Sequence, residues 1–345
     1  MNAMTEPRDR REGRSPSMAD VAKHAGVSHQ TVSRVLNDSP LVRPDTRERV
    51  LAAIEHLGYR RNMAARMLAT NRSGRIGMVS AHLVLYGPSM ISAAVQEVGH
   101  AAGYDVSLVG LADTSAACLR EAVDRLLDQA VEALVVAVAH NEALAATKAL
   151  DLSIPVVLTQ GVSAGQPMAA GIDQHAGALV ATERLLDLGH HHVAHVTGPL
   201  DWVEAVQRRD GWRAAHTARG LLPGPELTGD WSAQSGYEAG LLIADDPDTT
   251  AVFAANDAMA LGLLKALHER GRRVPEEVSV AGFDDVPEAA YYWPGLTTVR
   301  QDFTELGTRA VELALRALKG EPDASLDLVV PRLVERDSTA PARPS

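Results

Sequence analysis

A single cysteine in 345 residues, Cys118, leaves no internal disulfide to form and gives no sign of an oxidising compartment. Long apolar runs are missing too, and none approaches the ~18 residues that suggest a membrane span. The opening segment MNAMTEPRDRREGRSPS is charged and polar, without an apolar core of signal-peptide length, so a cytoplasmic protein is expected and exported binding proteins are excluded. Catalytic signatures are equally scarce. The chain has no nucleophile elbow, no phosphate-cradling glycine loop and no zinc-protease helix motif, and an enzyme is therefore not expected. Aromatic residues make up only 4% of the chain, which makes the place where they gather informative.

Positive charge is short as well. The net charge of −11, taken alone, argues against a nucleic-acid partner, because neutralising phosphates requires Lys and Arg. The average hides a split: residues 1–75 hold 14 basic and 8 acidic side chains, while 19 basic and 36 acidic ones lie beyond them. A basic head on an acidic body fits a DNA-binding module joined to a second unit. With 46% hydrophobic residues, the length allows two or three cores.

Residues 1–16, charged and containing Gly and Pro, read as a disordered arm. Order begins at Ser17, whose hydroxyl with Asp20 three residues on makes an N-terminal cap. Val21, Ala22 and Ala25 form an apolar stripe, Gly26 stops the helix, and Val27 plugs the turn. Ser28 caps a second helix from His29 to about Leu36. Its Val32, Val35 and Leu36 face inward and its His29, Gln30, Ser33 and Arg34 outward. Two short helices joined by a glycine-containing turn are a helix-turn-helix, whose second helix enters a major groove. A third helix runs from Pro44 to Leu57 with Val50, Ile54 and Leu57 buried, and Gly58 ends it. Arg43, Arg47 and Arg49 read as solvated surface, though one or two could pair with phosphates.

The stretches MADVAKHAGVSHQTVSRVLND and VRPDTRERVLAAIEHLGYRRNMAARML resemble the DNA-binding module and hinge of the lactose/galactose repressor family almost position for position. The resemblance implies a DNA site of Ser28, His29, Gln30, Thr31, Ser33, Arg34, Asn37, Asn62 and Leu68. Within it His29 and Gln30 read bases, Arg34 faces the groove, and Thr31, Ser33 and Asn37 hold phosphate oxygens. Arg pairs bidentately with guanine and Gln with adenine, so the side-chain chemistry suits these roles independently. Asn62 caps a short helix, Met63 to Thr70, similar to the family's hinge, and too short to be stable alone. Leu68 is either a wedge in the minor groove or the core leucine of a linker helix; the wedge is favoured because nothing nearby offers a core. The helix-turn-helix domain thus spans 17–61 and the hinge and linker 62–74.

Beyond Arg75, β-rich runs (RIGMVSA, YDVSLVG, VEALVVAVA, IPVVLTQ) alternate with helical stretches, and a second set follows with HHVAHVTG, AVFAAND and VSVAGFDD. That alternation predicts parallel sheets with crossover helices, in two doubly wound halves that hold a ligand at the carboxyl ends of their strands. LVLYGPSMISAAV, GDWSAQSGY, AANDAMALG, SVAGFDDVPEA and GLTTVRQDFTELG are similar to the periplasmic-binding-protein-like effector domain of the same family. The expected fold is α/β: an all-α helix-turn-helix domain plus an effector-binding and dimerisation domain at 75–340. Its N-subdomain comprises about 75–172 plus 304–327 and its C-subdomain about 173–303 plus 328–340.

Sugar recognition needs polar groups for hydroxyls and an aromatic face for the apolar side of the ring. Arg208 can fork onto two hydroxyls, Asn256, Asp284 and Gln301 offer amides and a carboxylate, and Trp231 supplies a platform. Leu85, Pro88 and Ile91 match an apolar wall, and Phe303 a contact beside the hinge. Three of the four tryptophans lie between 202 and 231, which favours a carbohydrate cleft, with Trp212 read as a packing residue. Other readings stay open: Asn256 with Asp257 could cap a helix, and Asp284 with Asp285 could be an exposed turn. The chain also departs from the family pattern. Ala137 and Gln160 stand where an Asn and an Asp are expected in the cleft, Glu204 stands where a Ser is expected, and Trp202 is an addition. A galactoside-like saccharide is the leading expectation for the effector, with a nucleobase, or a sugar-binding protein without a regulatory role, as alternatives. His190, His191, His192 and His195 suggest a metal cluster, but neighbours on a strand point to opposite faces. No metal or cofactor is expected. The ending TAPARPS has no heptads for a further assembly helix, so the expected assembly is a homodimer on a palindromic operator in double-stranded DNA, without membrane contact.

Overall fold

The computed structural model describes residues 16–36, 39–59, 72–321 and 328–343. The chain divides into two compact units, Met1–Ser73 and Gly74–Ser345.

In the first unit, α1 (Met18–Ala25) opens with a capping box. The Ser17 hydroxyl accepts from Asp20 N–H at 3.3 Å, and Asp20 Oδ2 accepts from Ser17 N–H at 2.8 Å. Gly26 closes the helix at φ 64°, a left-handed conformation free of steric cost only for glycine. α2 (His29–Leu36) starts where the Ser28 hydroxyl accepts from Thr31 N–H at 3.1 Å, and α3 (Pro44–Leu57) starts on a proline, whose missing N–H would have had no helical partner. Val21, Val32 and Val50 meet at the centre of the three helices, with Ala22, Ala25, Val35, Ala53 and Tyr59 around them. Ile54 and Leu57, expected on the buried face of α3, are only half-buried. Val50 and Ala53 form the line of closest packing, and those two flank it.

The second unit begins with β1 (Arg75–Ser80), α4 (Tyr86–Ala101), β2 (Asp105–Gly110), α5 (Ala116–Leu127), β3 (Ala133–Ala137), α6 (Asn141–Lys148) and β4 (Val156–Leu158). These strands form a parallel sheet in the order β2-β1-β3-β4. A second parallel sheet, ordered β6-β5-β7-β8, is built from β5 (Val193–Thr197), β6 (Glu226–Thr228), β7 (Ala251–Ala254) and β8 (Ser279–Ala281). Its helices are α7 (Gln174–Asp187), α8 (Val203–Ala218), α9 (Ala233–Ala244) and α10 (Asp257–Glu269). β3, β5 and β7 are enclosed along their whole length, as continuous apolar strands covered by helices on both faces must be.

After β9 (Thr298–Arg300) the chain returns to the first sheet as α11 (Phe303–Leu318), whose Phe303, Leu306, Ala310 and Val311 join the core around Ile76 and Met78. It then goes back to pair β10 (Arg332–Val334) antiparallel with β9. Neither half is therefore continuous in sequence. In each sheet the strand order reverses beside the first strand, which opens a crevice at the carboxyl ends.

α9 and α10 pack through glycines. A Cβ at Gly262 would lie 1.8 Å from the Ala233 carbonyl oxygen, and one at Gly236 would lie 2.0 Å from that of Met259. The histidines read as a cluster point apart. His190 meets the hydroxyls of Thr250 and Ser279 at 2.9 and 3.1 Å, His191 and His192 are exposed, and His195 is enclosed, stacked on Phe253 at 4.8 Å. Among the described residues no three His, Cys, Asp or Glu side chains gather to hold a metal. Burial pushes the His195 imidazole down to about 3, so it packs as a neutral ring.

Candidate functional site

On the first unit, turning Val32 and Val35 inward leaves His29, Gln30 and Arg34 exposed, with Thr31 and Ser33 half-buried. Gln30 and Arg34 are four residues apart, which places them one turn apart on one side of α2. A shallow groove along the helix is lined by Ser28, Thr31, Arg34, Arg43, Thr46 and Arg49. Three guanidiniums and three hydroxyls form a surface suited to phosphate oxygens. Arg47 is tied inward instead, donating to the Ser39 carbonyl at 2.9 Å. The Ser28 hydroxyl caps α2 and meets that of Thr31 at 2.9 Å. Asn37, Asn62 and Leu68 lie outside the described residues.

In the second unit a cleft opens between the two sheets, lined from both sides. Leu85, Pro88, Ile91 and Phe303 line it from the first sheet's side, and the Tyr86 ring stands edge-on to Phe303 at 5.8 Å. Arg208, Trp231, Asn256, Asp284 and Gln301 line it from the other side. The nine effector residues expected from the sequence thus share one cavity.

Their polar groups close into a ring. Arg208 Nε donates to Gln174 Oε1 at 2.8 Å, Gln174 Nε2 donates to Gln301 Oε1 at 2.9 Å, and Gln301 Nε2 donates to Asp284 Oδ1 at 2.7 Å. Asp284 Oδ1 lies 3.8 Å from Arg208 Nη1, which donates to the Ala255 carbonyl. Expected as a free fork for two hydroxyls, Arg208 has two of its three nitrogens engaged within the protein; Nη2 has no hydrogen-bond partner among the described residues. Its guanidinium lies 3.9 Å from the Phe283 ring centroid and 5.4 Å from that of Trp231, a cation–π arrangement. Asn256 proves to be the helix cap as well as a cleft residue. Its Oδ1 accepts from Met259 N–H at 2.8 Å, and its Nδ2 donates to the Trp231 carbonyl at 3.0 Å.

Asp284 and Asp285 do not form an exposed turn, for both carboxylates are enclosed. Asp285 Oδ1 accepts from Arg336 Nη2 at 2.6 Å and its Oδ2 from Arg300. Burial pushes Asp284 up to about 6, against the pull of Arg208 and the Gln301 hydrogen bond. Asp257, held by the Thr298 hydroxyl at 2.5 Å and Val286 N–H at 2.9 Å, is raised well above the usual carboxylate range by burial and by the Asp284 charge. Left-handed backbone also occurs here: φ is 73° at Trp231 and 117° at Asp284, both lining the cleft, and 55° at the adjacent Asp285. Each such non-glycine residue costs about 1–3 kcal/mol, and strain of this kind gathers at ligand sites.

Several cleft residues escape a reading of the sequence. Gln174, which links Arg208 to Gln301, sits in the buried stripe Gln174, Gly177, Ala178 and Ala181 of α7, and an amide within an apolar stripe was the available signal. Gln160, Trp202 and Glu204, noted as departures, line the cleft, together with Gln207. Ala137 lies in the core of the first sheet. Trp202 pairs its backbone with His140, and its indole lies 4.6 Å from the His140 ring and 5.0 Å from that of His82.

Residues 17–62 match the family described as bacterial regulatory proteins, lacI family, and residues 182–339 match the periplasmic binding protein-like domain. The lactose operon repressor of Escherichia coli (strain K12) is 36% identical over 326 residues, covering 94% of this chain and 90% of that protein. The crystal structure of the Lac repressor dimer bound to operator and the anti-inducer ONPF is similar with a TM-score of 0.83 at 34% identity, covering 95% of this chain and 100% of that one. A complex of the transcriptional regulator CelR with cellobiose gives a TM-score of 0.70 at 31% identity, over 94% of this chain and 99% of that one. With a helix-turn-helix module, a two-sheet ligand domain and similarity along nearly its whole length, the chain belongs to the lacI family of bacterial regulatory proteins, transcriptional repressors that bind DNA.

Proposed function

We propose that this repressor binds a palindromic operator as a homodimer and is released from it by a saccharide held between the two sheets, a galactoside-like sugar first among them. The observation that carries this reading is the cleft itself, where an apolar wall of Leu85, Pro88 and Ile91 faces an indole and a ring of amide, guanidinium and carboxylate groups. That combination suits a pyranose, which is apolar on one face and rich in hydroxyls at its edge. Release requires only that the sugar bind one arrangement of the two halves better than the other. A coupling of about 1–3 kcal/mol, roughly five- to 150-fold in operator affinity, is the ordinary range. Operator-bound protein titrated with galactosides, glucosides and free purines tests it. Release by a sugar is expected, and release by a purine but by no sugar would overturn the ligand class.

On the DNA side, Gln30 and Arg34 read base edges from one face of α2, with His29 beside them and Ser28, Thr31, Ser33 and Asn37 on the phosphates. By the family resemblance, Asn62 and Leu68 serve the hinge and the minor groove. Arg34→Ala is expected to weaken operator binding by about 1–3 kcal/mol per half-site and to relax one base preference in each. Binding-site selection on the variant that returned the parent motif with undiminished affinity would remove Arg34 from base reading.

A further inference from the structure

Glu204 is the unsatisfied group of the cleft. It stands one turn of α8 before Arg208 and is 6% exposed. Its Oε1 accepts from Gly161 N–H at 2.8 Å, whereas Oε2 is enclosed without a hydrogen-bond partner among the described residues. Trp231 Nε1 is in the same condition, so an acceptor and a donor both go unmet in one cavity. Burial raises the Glu204 carboxyl above its usual range, and Gly161 and Arg208 only partly offset this.

Charge narrows the class of ligand. Arg208 is the one cation among the described residues lining the cleft, and it already faces Asp284. Glu204 is a second carboxylate with no cation of its own. An anionic ligand such as a sugar phosphate would meet two carboxylates against a single, half-engaged guanidinium, while a hydroxyl donor meets an unpaired acceptor.

Spacing sets the size. Side chains four apart on a helix are separated by about 5–6 Å, close to the span of one pyranose ring. A ring on Trp231 beside Arg208 and Asp284 therefore leaves Glu204 for the next unit, where Gln160, Trp202 and Gln207 complete the lining. The same start of α8 grips the loops of the first sheet. Val203 N–H donates to the Ala139 carbonyl at 3.0 Å, Gln207 Nε2 donates to that of Val162 at 3.1 Å, and Glu204 takes Gly161 N–H. A ligand held by Oε2 is thereby tied to both halves through one carboxylate.

We propose that Glu204 and Trp202 form a second sugar subsite, so that the cleft takes a neutral disaccharide whose second ring donates a hydroxyl to Glu204 Oε2. This rests on the saccharide reading above. Calorimetry on the full chain with lactose, cellobiose, maltose, melibiose, glucose, galactose and glucose 6-phosphate tests it, alongside Glu204→Gln, which keeps the side-chain size and an oxygen for Gly161. One of the disaccharides is expected to bind at least about 10-fold more tightly than its monosaccharides. Glu204→Gln is expected to weaken that disaccharide about 10-fold, as loss of a hydrogen bond to a charged group does, and to leave monosaccharides within about twofold. Equal losses for one ring and two, a monosaccharide bound as tightly as any disaccharide, or preference for glucose 6-phosphate would overturn the subsite while leaving a saccharide effector in place. Binding of no sugar at all would overturn the saccharide reading and the subsite with it.

Discussion

Arg208→Ala is expected to destabilise the ligand-binding unit by about 3–5 kcal/mol near pH 7.5 and to abolish the response to effector. The guanidinium is 6% exposed and holds Gln174 Oε1 and the Ala255 carbonyl while facing Asp284. Removing it leaves an amide oxygen and a carbonyl without their donor, and a buried carboxylate without its cation. The loss should depend on pH in a definite direction. Asp284 lies at about 6 when folded, above the ~3.9 of an unfolded aspartate, so the folded protein keeps a proton that the unfolded chain has released. The stability this gives is complete below about pH 4 and is lost as pH rises through 6. Without Arg208 only the Gln301 hydrogen bond opposes burial, and Asp284 stays protonated to higher pH. Urea unfolding of parent and variant at pH 5 and 7.5 should therefore show the smaller deficit at pH 5, where the orphaned carboxyl is neutral. An equal deficit at both pH values would mean that Asp284 does not depend on Arg208. The variant's instability also makes Glu204→Gln the cleaner probe of ligand binding.

Gly262→Ala should cost about 3 kcal/mol, at the top of the range for overpacking, although alanine is the better helix former by about 1 kcal/mol. The new methyl would meet the Ala233 carbonyl and the Tyr237 backbone nitrogen, and no rotamer change can move backbone aside. α9 and α10 would have to part. Because Asn256 caps α10 and holds the Trp231 carbonyl, that shift would also loosen the cleft and weaken ligand binding. Gly271→Ala is the control: its φ of 71° strains alanine, but no atom lies within 4 Å, and a loss nearer 1 kcal/mol is expected from thermal or urea unfolding. If Gly262→Ala were no worse than Gly271→Ala, the close approach of the helices would not be a source of their specificity.

Features set by local chemistry were the most legible in the sequence. The Ser17–Asp20 box, Gly26, Ser28, Pro44 and Gly58 act within a few residues of themselves, and the helices begin and end as they dictate. Apolar runs such as Ala133–Ala137 marked buried parallel strands for the same reason. α4 starts at Tyr86, two residues before Pro88, because a proline at the third helical position is as tolerable as at the first: neither N–H has a partner within the helix. Less legible was how the cleft residues are engaged. Placing Asn256 and Asp284 just beyond strand ends, and Arg208 on the helix that follows β5, needs only the alternation of elements. Knowing that Arg208 is half committed needs Gln174, which lies 34 positions away and reaches it because α7 packs along α8. Glu204 could be seen as a departure from the family, but its open oxygen is a property of packing.

The four tryptophans fall into three settings. Trp293 is 93% exposed, Trp212 is sealed in the core with its N–H on the Val193 carbonyl, and Trp202 and Trp231 stand edge to face at 5.5 Å in the cleft. The molecule thus carries its own optical gauge. An aqueous quencher silences Trp293, Trp212 gives a constant background, and what remains of the emission comes from the pair that a ligand would touch. His140 lies against Trp202, with its imidazole held neutral to lower pH by burial and by neighbouring His82, while Asp201 pulls the other way. An imidazolium beside an indole drains its excited state, so protonation of His140 would dim this pair, and a ligand entering the cleft would act on the same signal, with no dye attached.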